Sequence, residues 1–336
     1  MYNCLTCDEL KEIETICNKW LCPKDDNLKP KKLNILYDSL KTTDFTPVVK
    51  AFTDRLRTIP WKFSKSEEVS GSICFFGGVM TSVLNYGYIE EIEGLFTFAV
   101  CYMLIDHFLD NSEINDVDKI KCIKEIYSFI VSGEKNNNLM VTAVGDRYLD
   151  LIKRVPKSRE YFIKLFQSEL KGVVVQKSTN LSREEYLKAA EEKGGMTSLC
   201  IASIINLEIE ENGNYENDDS YRYGKITQFV DDLLDIKDDK AEGIYTLARY
   251  DLKNGNMNKY IYETIKDIDK LSPVYNVFKI ILLSGIILGV HDNPGSVSDS
   301  LTSIIQKYNI YEETSKEKLI EWFHQKLENY IKENDL

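Results

Sequence analysis

Apolar residues recur along most of the chain at three- and four-residue steps with polar residues between them, the spacing of one helix face. Such runs cover 118–131 (DKIKCIKEIYSFIV), 140–153, 158–175 and 181–209. Two other stretches, GLFTFAVCYMLI at 94–105 and VYNVFKIILLSGIILGV at 274–290, are apolar on nearly every side. A helix apolar all round is a core helix. The first is too short to span a bilayer, and the second is borderline and carries Lys279, so both are expected inside the protein. No segment alternates with period two, no repeat emerges, and 7 prolines with 17 glycines leave room for long helices. The pattern predicts an all-α fold of ten or more helices in one large bundle. An N-terminal helical extension (1–60) of two or three short helices precedes a continuous helical domain (61–336). Breaks are expected at CPKDDNLKP (22–30), Gly77–Gly78, SGEKNNN (132–138), Gly194–Gly195 and EENGNYENDDS (210–220). Asp116 is a candidate cap, and Ser182 with Glu185 three residues on forms a capping-box pattern.

Charge narrows the partners. A net charge of −12 argues against a nucleic-acid surface, which needs a basic stripe. An anionic substrate would have to be held by bound metal and local Lys or Arg. The N-terminal MYNCLTCDELKEIE lacks a basic stretch followed by an apolar one, so no signal peptide is read, and a cytoplasmic protein without stable membrane insertion is expected. The 8 cysteines are then expected reduced. Cys4, Cys7, Cys17 and Cys22 are close enough in sequence to suggest structural zinc, yet Cys17 lies within an amphipathic helical pattern. Zinc and isolated thiols both stay open.

The candidate chemistry is acidic. Asp106 and Asp110 close the apolar run in DHFLD, and Asp231, Asp235 and Asp239 repeat a four-residue step in DDLLDIKDD. On a helix that step stacks carboxylates about 6 Å apart at Cβ. With 54 acidic residues, a lone pair of this kind is by default a solvated helix face. Here both sets sit among apolar neighbours, where burying carboxylates is costly without a cation. Mg²⁺ is the first candidate, because it binds carboxylates together with phosphate oxygens. His107 is the less suitable ligand, and Asp232 and Asp238, off the 231/235/239 face, are expected to be outer-shell or solvent-facing.

The segment YGKITQFVDDLLDIKDD resembles the second Asp-rich motif of the class I isoprenoid synthases, the trans-prenyltransferases and terpene synthases. LSREEYLKAAEEKGGMTSL resembles the prenyltransferase stretch in which a helix-ending lysine contacts diphosphate, and GVVVQKS resembles another, more weakly. CFFGGVMTSVL with AVCYMLIDHFLDN is similar to bacterial large terpene synthases related to tetraprenyl-β-curcumene synthase. Together these cover roughly residues 70–255. The resemblance implies a helical bundle with a central active-site cavity and a prenyl diphosphate substrate. It implies Mg²⁺, three ions with Mn²⁺ as a substitute, held by Asp106, Asp110, Asp231, Asp235 and Asp239. Lys193 and Gln228 would contact the diphosphate, with Lys240 and Arg249 as further candidates to neutralise it, and a homodimer is implied.

The departures shape the functional expectation. His107 stands where the first motif has its second Asp, no arginine pair follows Asp110, and FFGGVM lacks the basic residues that grip isopentenyl diphosphate. In the second motif, Asp235 and Asp239 replace the Ser/Thr and Glu of terpene synthases. One diphosphate site is expected and the second is missing. That pattern fits an enzyme that ionises one allylic diphosphate and cyclises or quenches the cation. The alternatives are a chain-elongating prenyltransferase, drawing on Arg55, Arg57, Lys62 or Lys65, and a non-catalytic regulatory subunit of such an enzyme. Phe75, Phe76, Phe96, Phe98, Tyr102 and Phe229 are expected to pack the core before any role beside a cation.

Overall fold

The structure, a computed structural model, describes residues 3–21, 52, 54–59, 63, 65–86, 92–111, 113–133, 137–205 and 218–308. Among these it is all-α, without a strand. The helices are α1 (Cys7–Trp20), α2 (Lys65–Tyr86), α3 (Ile92–Asp110), α4 (Asp116–Ser132), α5 (Leu139–Arg154), α6 (Ser158–Gln176) and α7 (Arg183–Ile204). There follow α8 (Asp219–Leu234), α9 (Ile236–Glu242), α10 (Leu247–Lys253), α11 (Met257–Lys270), α12 (Asn276–Asp292) and α13 (Asp299–Ile305). The chain forms two compact units, one of Met1–Asp44, Val175–Gly195 and Tyr221–Trp322, the other of Phe45–Val174, Met196–Ser220 and Phe323–Leu336. The boundary expected at 60/61, the break at 22–30 and most of that at 210–220 lie outside the described residues.

In the second unit α3 is the core helix its composition requires. Leu95, Phe98, Ala99, Val100, Cys101, Met103 and Leu104 are all buried. Phe98 meets Phe162 at 6.0 Å, and Tyr148 packs on Phe162 at 4.8 Å and Phe166 at 5.3 Å. Phe75, Phe96 and Phe52 form a second aromatic cluster. The expected break at Gly77–Gly78 is absent, and α2 runs through it. Two interior glycines cost about 1 kcal/mol each, which packing outweighs. A Cβ at Gly78 would lie 2.8 Å from the Leu95 side chain, so the residue serves the close approach of α2 to α3. Asn115, not Asp116, caps α4, its side chain accepting from the Asp118 N–H, with Asp116 in the first turn.

In the first unit Thr6 and Glu9 form a capping box that starts α1, which packs on α11, α12 and α13. Burial first, then Glu14, pushes the Cys17 thiol up to about 12, so it is a protonated core group. Cys4 and Cys7 are exposed, and Cys22 lies outside the described residues. On α12, Lys279 is 3% exposed, its ammonium 4.6 Å from the Trp20 ring centroid and donating to the Asp269 carbonyl at 3.2 Å. Among the described residues no helix is long and apolar enough to cross a membrane. The expected break at Gly194–Gly195 is also absent, and α7 is continuous. Its N-terminus carries the Ser182–Glu185 box, with Ser182 N–H donating to Glu185 Oε2 at 2.8 Å.

Candidate functional site

The second aspartate motif sits at the end of α8, and three glycine contacts place that helix. A Cβ at Gly194 would lie 2.3 Å from the Gly224 carbonyl oxygen and 2.7 Å from Gln228 Cβ, so α7 crosses α8 there nearly backbone to backbone. A Cβ at Gly285 would meet Val230 at 2.5 Å, and one at Gly289 would meet Leu233 at 2.6 Å. Small residues four apart thus seat α12 against the same helix. The crossing at Gly194 sets Lys193, half-buried and in mid-helix, beside Gln228 and Asp232. Lys193 does not end its helix, contrary to the expectation carried by its motif.

The three spaced aspartates do not share one straight helix. α8 stops at Leu234, Asp235 takes φ −94° and ψ 8°, and α9 restarts at Ile236. The spacing survives the break because Asp235 N–H donates to the Asp231 carbonyl at 2.9 Å and Asp239 N–H to that of Asp235 at 2.8 Å. Asp231 is exposed, and Asp235 and Asp239 are half-buried. Burial first, then the charges of Asp235 and Asp231 against the Thr246 hydrogen bond, pushes Asp239 up to about 7. Asp231 and Asp235 are thus electrostatic neighbours of Asp239.

Of the two placements expected for Asp232, outer-shell or solvent-facing, burial removes the second. Asp232 is 5% exposed, and Gln228 Nε2 donates to its Oδ1 at 2.8 Å. Burial first, opposed by that hydrogen bond and reinforced by Asp231 and Asp239, pushes it up to about 8, with Lys193 lowering it. Asp238 and Lys240 are exposed. Arg249 is close to Asp239, but its Nη1 donates to the Asp239 carbonyl at 2.9 Å and to that of Ile244.

In the other unit, Asp106 is half-buried on the last turns of α3 and acts electrostatically on Cys74 of α2, whose thiol burial first pushes up to about 12. Asp110 is the last residue of that helix. Arg55, a candidate for a second diphosphate, is ion-paired with Glu93 and lies 6.0 Å from the Phe96 ring, while Lys62 lies outside the described residues.

No family model and no curated protein matches the chain. Similar solved structures include a point variant of cucumene synthase, 10% identical at TM-score 0.47, covering 81% of this chain and 97% of that one. Others are the geranylgeranyl pyrophosphate synthases of Lactobacillus brevis ATCC 367 (13% identical, TM-score 0.38, covering 82% and 98%) and Pyrococcus horikoshii OT3 (14%, 0.33, covering 92% and 97%). All three TM-scores lie below one half.

Whether these residues suit a metal is a question of donor chemistry. Among the described residues no group of three or more His, Cys, Asp or Glu is placed to hold a metal ion. The 231/235/239 set is instead an open carboxylate edge, its members close enough for Asp231 and Asp235 to raise Asp239. All-oxygen donors on an open edge suit Mg²⁺, which keeps water and shares substrate phosphate oxygens. The donor type suits the ion, although the three carboxylates are not gathered around one point. Sequence reasoning missed Thr246, which caps α10 and reaches Asp239. A threonine directly before the helical LARYDLK was the available signal for Thr246.

Proposed function

We propose that the chain is a Mg²⁺-dependent class I isoprenoid synthase-type enzyme that ionises an allylic prenyl diphosphate and cyclises or quenches the cation. The observation that carries the reading is the charge coupling of Asp231 and Asp235 to Asp239 across the α8–α9 break, with Lys193 acting on the adjoining Asp232 where α7 crosses α8 at Gly194 and Gly224. Asp231, Asp235 and Asp239 would hold the ion, and Asp106 and Asp110 are the remaining ligands that the sequence resemblance implies. When bound, Mg²⁺ neutralises charge developing on the leaving diphosphate. The protein's part is to bind and orient. Lys193 and Gln228 would face the diphosphate, and Lys193 adds a local positive charge in a chain of net charge −12. Asp232 sits behind them as a buried acceptor for Gln228, fixing that amide.

The preference for one diphosphate over two, and so for the lyase-type reaction over chain elongation, rests on the sequence, where no arginine pair follows Asp110 and FFGGVM lacks basic residues. The test is product formation by the purified chain with Mg²⁺ and allylic diphosphates of increasing length, with and without isopentenyl diphosphate. Hydrocarbon or terpene alcohol without isopentenyl diphosphate is expected. Asp231→Asn and Asp106→Asn are each expected to lower turnover by about 10²-fold or more with helical content unchanged. Longer prenyl diphosphates formed only with isopentenyl diphosphate would make it a prenyltransferase. Normal turnover in both variants would remove the metal assignment.

A further inference from the structure

Asp239 lies on α9, a helix of 7 residues that is too short to hold itself. What fixes it comes from the chain that follows. Gly243 turns the backbone at φ 70°, a left-handed conformation that glycine adopts without strain. Its N–H and that of Ile244, the latter at 2.8 Å, both donate to the Asp239 carbonyl. Arg249 Nη1 donates to the same carbonyl at 2.9 Å and to the Ile244 carbonyl, and its guanidinium lies over the Tyr245 ring at 4.6 Å. Tyr245 N–H is tied to the Gln176 carbonyl at 2.7 Å. The buried Thr246 completes the frame. Its hydroxyl donates to Asp239 Oδ2 at 3.2 Å and accepts from the Arg249 N–H at 3.4 Å as the N-cap of α10.

We propose that Thr246 and Arg249 are positioning residues for Asp239, and that Arg249 grips the protein backbone and not the diphosphate. Thr246 commits one carboxylate oxygen, Oδ2, to the protein, and the other would serve the ion. Arg249 holds the turn that carries the carboxylate, and stacking on Tyr245 fixes its plane. Outer partners of metal ligands act in this way on affinity. The proposal rests on Asp239 as a metal ligand.

The experiment uses the full chain and Mn²⁺ as a spectroscopic probe, reading free ion by electron paramagnetic resonance. Asp239→Asn sets the reference for loss of the ligand. Thr246→Val is expected to weaken Mn²⁺ binding by about 10-fold or more, and Thr246→Ser, which keeps the hydroxyl, to restore most of it. Arg249→Met is expected to speed amide exchange at Gly243 and Ile244 and to weaken Mn²⁺, while inorganic pyrophosphate affinity at saturating Mn²⁺ stays within about 2-fold, since a lost diphosphate contact would cost more. Should Thr246→Val not fold, as judged by circular dichroism, Thr246→Ala carries the same comparison. Wild-type Mn²⁺ affinity in Thr246→Val, alongside its loss in Asp239→Asn, would overturn the positioning role alone. An Arg249→Met variant that keeps Mn²⁺ and loses pyrophosphate would return Arg249 to the diphosphate. Equal Mn²⁺ binding by Asp239→Asn and the wild type would show that the ligand reading fails, and the positioning role would fall with it.

Discussion

At the scale of single residues, the acidic chain sorts its carboxylates by what surrounds them. Asp251 shows the sorting most sharply. Its side chain is fully buried, and Arg183 Nε donates to both oxygens at 2.9 and 3.0 Å while Nη2 reaches Glu263 at 3.3 Å. Burial pushes Asp251 up and outweighs the lowering by Arg183, so the pair is a burden held in place by its own hydrogen bonds. Removing one partner leaves a buried carboxylate uncompensated. Arg183→Met is therefore expected to lower stability by about 3–5 kcal/mol, and adding Asp251→Asn to recover most of it. Urea unfolding of the two variants checks this. Equal stability of Arg183→Met and wild type would mean that Asp251 is content as a neutral acid.

At the scale of helices, the sequence was legible wherever local chemistry decides. The ends of α5 and α6 fall within a residue or two of the apolar periodicity, and the Ser182–Glu185 box stands where its pattern indicated. It misled where a partner distant in sequence decides. The Gly-Gly pairs read as breaks lie within continuous helices, where Gly78, Gly194 and Gly195 are packing contacts. The break at Asp235 carries no glycine or proline. The end of α8 is met instead by Asn293, about 60 residues on, whose Nδ2 donates to the Leu233 carbonyl at 3.4 Å. The candidate site was legible as residue types and spacing. The roles of Asp232 and Thr246 were not, because burial of the first and reach of the second depend on α7 and α10. The two kinds of glycine make a direct contrast. Nothing lies within 4 Å of a Cβ at Gly77, whereas at Gly194 the obstacle is the Gly224 carbonyl, which no rotamer relieves. Gly77→Ala is expected to gain about 0.5–1 kcal/mol from helix propensity. Gly194→Ala is expected to lose about 1–3 kcal/mol by overpacking and to displace Lys193 from Gln228. Denaturation midpoints of the two variants should move in opposite directions.

At the scale of the whole molecule, a net charge of −12 resists compaction, so any cation relieves some repulsion. A specific Mg²⁺ site must show itself above that background. An ion bound only by the folded chain stabilises it by about 2.7 kcal/mol at 100 times its dissociation constant. For a chain of 336 residues that corresponds to a rise in Tm on the order of 4 °C. Sodium chloride at matched ionic strength screens the overall charge without supplying an octahedral ion, and sets the baseline. The wild type is expected to gain more from Mg²⁺ than from that salt. A combined Asp231→Asn, Asp235→Asn, Asp239→Asn variant is expected to start from a higher Tm without metal, because the repulsion at the edge is gone, and to respond to Mg²⁺ no more than to sodium. An equal Mg²⁺ response in both proteins would place the ion in the general charge field, and the second aspartate motif would then be a solvated acidic face after all.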